Sequence, residues 1–468
     1  MPDYDLIVIG GGAAGLTAAE TGRLLGLRVA LIEQHRIGGD CTWYGCVPSK
    51  ALLAAARHAH DARHAERWGL RIPTVTVDFA AVMAQVRATI QHIYDEEAPD
   101  VWRARGMDVF IAAAHFVDAH TVALSTGEQL RAEKFVIATG ARDVIPPALQ
   151  AVPHLTHRTL FDLETLPDHL AIVGGGAVSV EMGQAFARLG SRVTLITRDA
   201  RLIAHADPDA SDLLSTALMR DGVQVLLNRH VTHAAHTTDY TLTLDDGQTI
   251  HATHLLVAAG KQPDVSALQP ERAGLAVRAG ALVLRDTLQT SQRHIYAAGD
   301  AVGAPFFTHT AGSEATTAVL NLLLPFKGKR KPTAPYTLFT DPEIAQVGWT
   351  EAQARARHRT VRVTRIPFSA NDRAMTEGHP EGFVKVAHGR WGRVYGVTLV
   401  GRGAGEMANE WAQVVDRGGR IIDPLFATHI YPTLGYGSSL AGIEFLRGFV
   451  QTGWGRRLQA LLRRVWRA

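Results

Sequence analysis

Cys41 and Cys46 are the only cysteines in 468 residues, and four residues separate them in the stretch Gly38–Lys50, GGDCTWYGCVPSK. A helix opened at Pro48 would bring its positive end beside Cys46 and favour the thiolate there. The pair is therefore predicted to form a redox disulfide. Two buried thiols, or a structural bridge, are the plainer alternatives, although a lone disulfide in a reducing compartment is more often catalytic than structural.

The elements that must position this pair begin at the N-terminus. Tyr4–Gly15, YDLIVIGGGAAG, reads as a buried strand, the turn Gly10-x-Gly12-x-x-Gly15 and then a helix over Leu16–Leu25. Such glycines let the backbone approach a pyrophosphate at the helix N-terminus. A second strand, Arg28–Ile32, ends at Glu33, where a carboxylate is placed for ribose hydroxyls. The unit then repeats. Laid on residues 10–33, residues 174–197 match without a gap and with ten identities, Gly174 and Gly176 standing for Gly10 and Gly12, and Ser179 for Gly15. Thr197 takes the place of Glu33 and is followed by Arg198 and Arg201. A lost carboxylate and gained guanidinium groups suit a ribose 2′-phosphate, so NADP(H) is expected over NAD(H); surface arginines without a ligand are the alternative.

Between and beyond the two units lie helical patterns at Ala51–Glu66 and Phe79–Gly106. Two apolar strands end in glycine, Phe135–Gly140 (FVIATG) and Leu255–Gly260 (LLVAAG), and a third, His294–Asp300 (HIYAAGD), ends in an acid beside glycine. Each either lets the backbone approach a nucleotide or simply meets a turn, and Asp300 is placed to bind a chain of hydroxyls. At roughly 150 residues per domain the length suits about three domains. With 46% apolar and 20% charged residues and 44 glycines, the composition is that of a glycine-punctuated α/β protein. A net charge of +3 implies no nucleic-acid face. No apolar run reaches the roughly 18 residues that cross a bilayer, and the N-terminus carries no secretion signal, so a cytoplasmic protein is expected.

Taken together, Gly10–Gly15, Glu33, Gly38–Lys50, Ala138–Gly140, the second glycine unit, AAGKQPD at Ala258–Asp264 and AAGD at Ala297–Asp300 resemble the flavin-dependent pyridine nucleotide–disulfide oxidoreductases. FTDPEIAQVGWTE at Phe339–Glu351 and GAGE around Ala404–Glu406 are similar to that family's dimerisation domain, so the resemblance runs along nearly the whole chain. It implies an α/β fold with two Rossmann-like domains, one binding FAD (1–145 and 266–335) and one NAD(P) (146–265). It also implies an α+β dimerisation domain (336–452) and leaves a basic tail at 453–468. FAD would be held by Gly10, Gly12, Gly15, Glu33, Thr139, Gly140, Gly299 and Asp300, and NADP by Gly174, Gly176, Arg198, Arg201 and Gly260. By the same resemblance Cys46 is the thiolate nearer the flavin and Cys41 attacks the outside substrate, while Lys50, paired with Glu181, stabilises reduced flavin. No resident metal site is expected, and the partners are a second copy of the chain and a small-molecule or metal acceptor.

Several departures from that pattern bear on specificity. Thiol-reducing members of the family end in HPTxxE, which the partner subunit supplies as acid–base group and orienter; this chain reads YPTLGY, with Tyr431 and Tyr436 in their places. A phenol titrates near pH 10, so Tyr431 is a poor base for a dithiol, and His429 is expected to be a surface or interface histidine. Mercuric reductase-like members share the tyrosine, but they hand metal on from a further cysteine pair that this sequence lacks. Where the glutathione reductases place a gating tyrosine, this chain has Ala177, which suggests a less occluded nicotinamide pocket. Trp43 and Tyr44 either pack under the flavin or against a partner, or shape a site for a flat acceptor. Trp454–Ala468 sets an apolar stripe against arginines, suited to a membrane surface or to docking on the dimer. The resulting expectation is an FAD enzyme passing electrons from NADPH through Cys46 and Cys41 to Hg(II), a quinone or a disulfide. Dihydrolipoyl dehydrogenase is the enzymatic alternative, and a redox sensor or membrane-associated binding protein the non-enzymatic one.

Overall fold

The computed structural model describes residues 2–325 and 327–466. Its strand β1 (Tyr4–Ile9) is buried along its last four residues, as a central parallel strand must be when both faces are covered. Helix α1 (Ala13–Leu24) follows directly, and β2 (Val29–Glu33) pairs in parallel with β1, Leu6 opposite Val29. The parallel sheet continues from β2 to Asp108–Ile111 on one side, and from β1 to Gln129–Ile137 and then Ile295–Ala297 on the other. Strands Thr121–Leu124 and Ala114–Asp118 extend it antiparallel through the first residues of Gln129–Ile137.

The cysteine stretch forms two helices, α2 (Gly39–Trp43) and α3 (Cys46–Arg63). Helix α3 opens at Cys46 itself, two residues before the proline expected to start it, with Gly45 as its N-cap. The helical pattern after residue 79 is two helices, Phe79–Asp95 and Pro99–Ala104; Pro99 cannot donate to a preceding turn and so starts the second. In the repeat, strand His169–Val173 lies parallel between Arg192–Ile196 and His254–Val257, and helix Ala177–Leu189 follows its glycine turn.

Two compact units emerge. One comprises Met1–Ile196 and Arg229–Pro332, the other Thr197–Asn228 and Thr333–Ala468. The second is built on an antiparallel sheet in the order Tyr336–Leu338, Glu343–Gly348, Val394–Gly401, Phe383–His388, Arg362–Pro367. Helix Ala404–Asp416 packs on that sheet through the buried Met407, Ala408 and Trp411. Among the described residues no helix is long and apolar enough to cross a membrane.

Candidate active site

The two glycine turns are superposable in their dihedrals: Gly12 and Gly176, the N-caps of α1 and of Ala177–Leu189, both have φ −87° and ψ −170°. Gly10 (φ +112°) and Gly174 (φ +137°) precede them, and a Cβ on either would fall about 2 Å from a carbonyl oxygen, of Ala138 or Ala258. These turns press against the strands that end in ATG and AAG. By contrast a Cβ at Gly176 would meet nothing within 4 Å. Neither helix has a side-chain cap or an acid in its first turn, so its first N–H groups are left for an anion.

Glu33 ends β2 and accepts from the backbone N–H of Gly11 (2.6 Å) and of His35 (2.9 Å). Thr139 Oγ1 is buried with no hydrogen-bond partner among the described residues. Half-buried Asp300 is pushed upward in pKa by burial, although Lys261 opposes the shift. Gly299 donates to Glu314 Oε2 at 3.0 Å, which braces the turn before Asp300. A polar atom awaiting a partner, an open helix start and a carboxylate at a strand end fit FAD. Gly140 (φ +77°) and Gly260 (φ +120°) likewise have open space where a Cβ would lie.

A short backbone approach helps place the cysteines. Gly39 (φ +58°) lies so close to Gly12 that its Cβ would be 2.6 Å from the Gly12 Cα, which fastens α2 to the first glycine turn. Both cysteines are free thiols, Cys46 exposed and Cys41 half-buried. The hydrogen bond from Cys41 is the main cause that lowers the Cys46 pKa to about 6, against the partial desolvation by crowding protein atoms that its exposed surface leaves in place; Thr308 Oγ1, 3.1 Å away, and the Lys50 charge add to it. The same pairing, together with burial, raises the Cys41 thiol. Cys46, at the positive end of an 18-residue helix, is thus the thiolate, and Cys41, on α2, the thiol that serves it. Lys50 Nζ donates to the buried Glu181 Oε2 at 2.8 Å.

Sequence reasoning missed several neighbours. Thr308, first residue of helix Thr308–Leu323, is 262 positions from Cys46. Asp40, directly before Cys41, is held by His157 Nε2 (3.0 Å), Lys261 Nζ (2.7 Å) and Arg158 (2.9 Å), while His157 Nδ1 reaches Asp143 at 3.0 Å. Burial would raise the Asp40 pKa, but these cations hold it well below the carboxylate range. His157 is raised despite burial because both its nitrogens face carboxylates. Trp43 packs within its own chain, between the Arg36 guanidinium 3.6 Å from its ring and Tyr94, and donates to the Ile37 carbonyl. Tyr44 accepts from Arg36.

In the second unit Tyr431 is 63% exposed and donates to Asp372 at 2.9 Å, which raises its pKa further. It is no base at neutral pH. Tyr436 opens helix Tyr436–Val450 and stacks edge-on with Tyr431. His429 is half-buried, and its imidazole lies between Glu410 (3.0 Å) and Ser439 (2.9 Å). Thr197 is buried, Arg198 is exposed, and the exposed Arg201 lies 3.8 Å from Asp212.

A family model described as pyridine nucleotide-disulphide oxidoreductase matches residues 4–315, and one described as that family's dimerisation domain matches 334–438. The chain is 32% identical over 454 residues to a mercuric reductase of Staphylococcus aureus, covering 95% of this chain and 82% of the relative. It is also 32% identical over 449 residues to a dihydrolipoyl dehydrogenase of Haloferax volcanii, covering 92% and 94%. Among solved structures, the Cu(II) complex of the HOCl-induced flavoprotein disulfide reductase RclA from Escherichia coli superposes with a TM-score of 0.85 at 29% identity, over 95% of this chain and 99% of that one.

Proposed function

Because the chain belongs to the pyridine nucleotide-disulphide oxidoreductases, FAD-dependent enzymes with a redox-active disulfide, we infer that it transfers electrons from NADPH through Cys46 and Cys41 to a thiophilic metal ion. FAD, when bound, would supply the two-electron hydride chemistry that the side chains alone do not. The chain's residues do the rest. Gly12, Glu33, Thr139 and Asp300 would hold the flavin nucleotide, Gly176 and Arg198 the NADPH, and Lys50 would offset negative charge. Reducing the disulfide takes up two electrons and one proton, which leaves Cys41 as thiol and Cys46 as thiolate.

The observation that carries the metal reading is a soft, exposed thiolate near pKa 6 with a second thiol beside it, in a chain whose Tyr431 is not a base. With no further cysteine in this sequence to hand metal on, the ion would meet the Cys41–Cys46 pair directly. A mercuric reductase and a Cu(II) complex among the similar proteins favour the same acceptor class. Per NADPH, two electrons reduce one Hg(II) to Hg(0) or two Cu(II) to two Cu(I), and one proton is released. The working form is a cytoplasmic homodimer, in keeping with the dimerisation-domain match.

Anaerobic NADPH oxidation with Hg(II), Cu(II), a quinone and a disulfide as separate acceptors tests this. Metal-dependent turnover should fall about 100-fold or more in Cys41→Ser and in Cys46→Ser. Arg198→Ala should remove a preference for NADPH over NADH. Metal-dependent turnover that survives both cysteine variants would overturn the sulfur route. A second reading, dihydrolipoyl dehydrogenase, draws on the His429–Glu410 pair, an imidazole held at Nε2 by a carboxylate and at Nδ1 by Ser439 Oγ. Efficient NAD reduction by dihydrolipoamide, abolished by His429→Gln, would put it first.

A further inference from the structure

Helix Gly453–Trp466 sorts its side chains by chemistry. Trp454, Leu458, Leu461, Leu462, Val465 and Trp466 share one side at helical spacing, and all are exposed, from 47% at Leu458 to 88% at Trp466. Arg456, Arg457, Arg463 and Arg464 take the other side, and residues 453–468 contain no acid. An ordinary surface helix turns such a stripe into the core. This one leaves it to solvent.

The apolar face continues onto a second part of the chain. Trp454 meets Trp391 edge-on at 6.0 Å; Trp391 lies in the turn between strands Phe383–His388 and Val394–Gly401 and is itself 50% exposed. Trp391 also packs on Phe449, and the Arg390 guanidinium stands 5.2 Å from its ring. Exposed indoles next to guanidinium groups therefore recur on two segments that meet. The positive charge is local: the five arginines of 453–468 exceed the net +3 of the whole chain.

We propose that this face binds a lipid surface bearing anionic headgroups. Arginines pair with phosphates, indoles rest at headgroup depth, and the Leu/Val stripe enters the acyl boundary. Fourteen residues make a helix of about 21 Å, which lies along the surface and does not cross it. This contact is independent of the electron-transfer reading. It holds the enzyme peripherally on the membrane whatever the acceptor.

Co-sedimentation of the full-length protein with phosphatidylcholine vesicles, with and without phosphatidylglycerol, tests the proposal. Binding is expected only to the anionic vesicles and should weaken steeply in 0.5 M salt. Arg456→Gln/Arg463→Gln/Arg464→Gln should weaken it about 100-fold, at about fivefold per arginine. Leu461→Ser/Leu462→Ser should weaken it about 10-fold or more with circular dichroism of the remaining fold unchanged. Trp391→Ala, outside the helix, should reduce binding while leaving the helix intact. Absence of binding to anionic vesicles would overturn the proposal. So would undiminished binding by the leucine variant, or a drop in sedimentation coefficient in that variant without lipid, which would assign the stripe to a second copy of the chain.

Discussion

Cys46 owes its acidity to neighbours that act in opposite directions, and this makes the assignment testable one side chain at a time. The Cys41 hydrogen bond, Thr308 and Lys50 lower its pKa, whereas partial desolvation and Glu181 raise it. Alkylation of Cys46 by iodoacetamide should therefore rise through a midpoint near pH 6, where an ordinary thiol rises near 8.5. Because the group is depressed, the thiolate persists above that midpoint and is lost as the pH falls through it. Lys50→Met should move the midpoint up and Glu181→Gln should move it down, by about one unit each. A wild-type midpoint near 8.5, or shifts of the same sign in both variants, would refute this account. The thiols and Lys50 were legible because thirteen consecutive residues hold them. Thr308 and the cations on Asp40 were not, because His157 and Lys261 lie 117 and 221 positions away and only the folded sheet brings them near.

At the scale of elements, the repeat of glycine turn and helix was the most legible feature, since its spacing alone fixes strand, turn and helix, and the two N-caps share their dihedrals. Helix starts were less so. Proline at position 48 suggested a start there, but the close approach of Gly45 to the Asp40 carbonyl turns the chain early and makes Cys46 the first helical residue. The turns also separate stability from binding. At Gly10 and Gly174 a side chain collides with backbone, so alanine should impair folding. At Gly176 the conformation is open to any residue and a Cβ touches no protein atom. Gly176→Ala should therefore keep the thermal midpoint within about 1 °C and raise KM for NADPH about 10-fold or more, as the methyl enters space a pyrophosphate needs. A lower thermal midpoint with unchanged KM would mean that the glycine serves packing alone.

At the scale of the whole molecule, the similarity to enzymes of known family runs through 95% of the chain and includes the dimerisation domain, so the assembly rather than the subunit is the unit to test. Sequence order foretold that domain from FTDPEIAQVGWTE and GAGE, but it could not show which apolar residues the fold leaves outside. The second unit leaves Phe426 and Ile430 each 77% exposed, with Tyr431 between Ile430 and the next turn. Two large apolar side chains that open on one short segment cost solvation unless another surface covers them. If the partner subunit covers them, the wild-type protein should sediment at twice 50.6 kDa and Phe426→Asp/Ile430→Asp at 50.6 kDa, because a buried carboxylate without a counter-ion disrupts an interface severely. Metal-dependent NADPH oxidation should fall with the mass and recover at high protein concentration. A wild-type protein that is monomeric and fully active would sink the dimer, and a variant that stays dimeric would move the interface away from this segment.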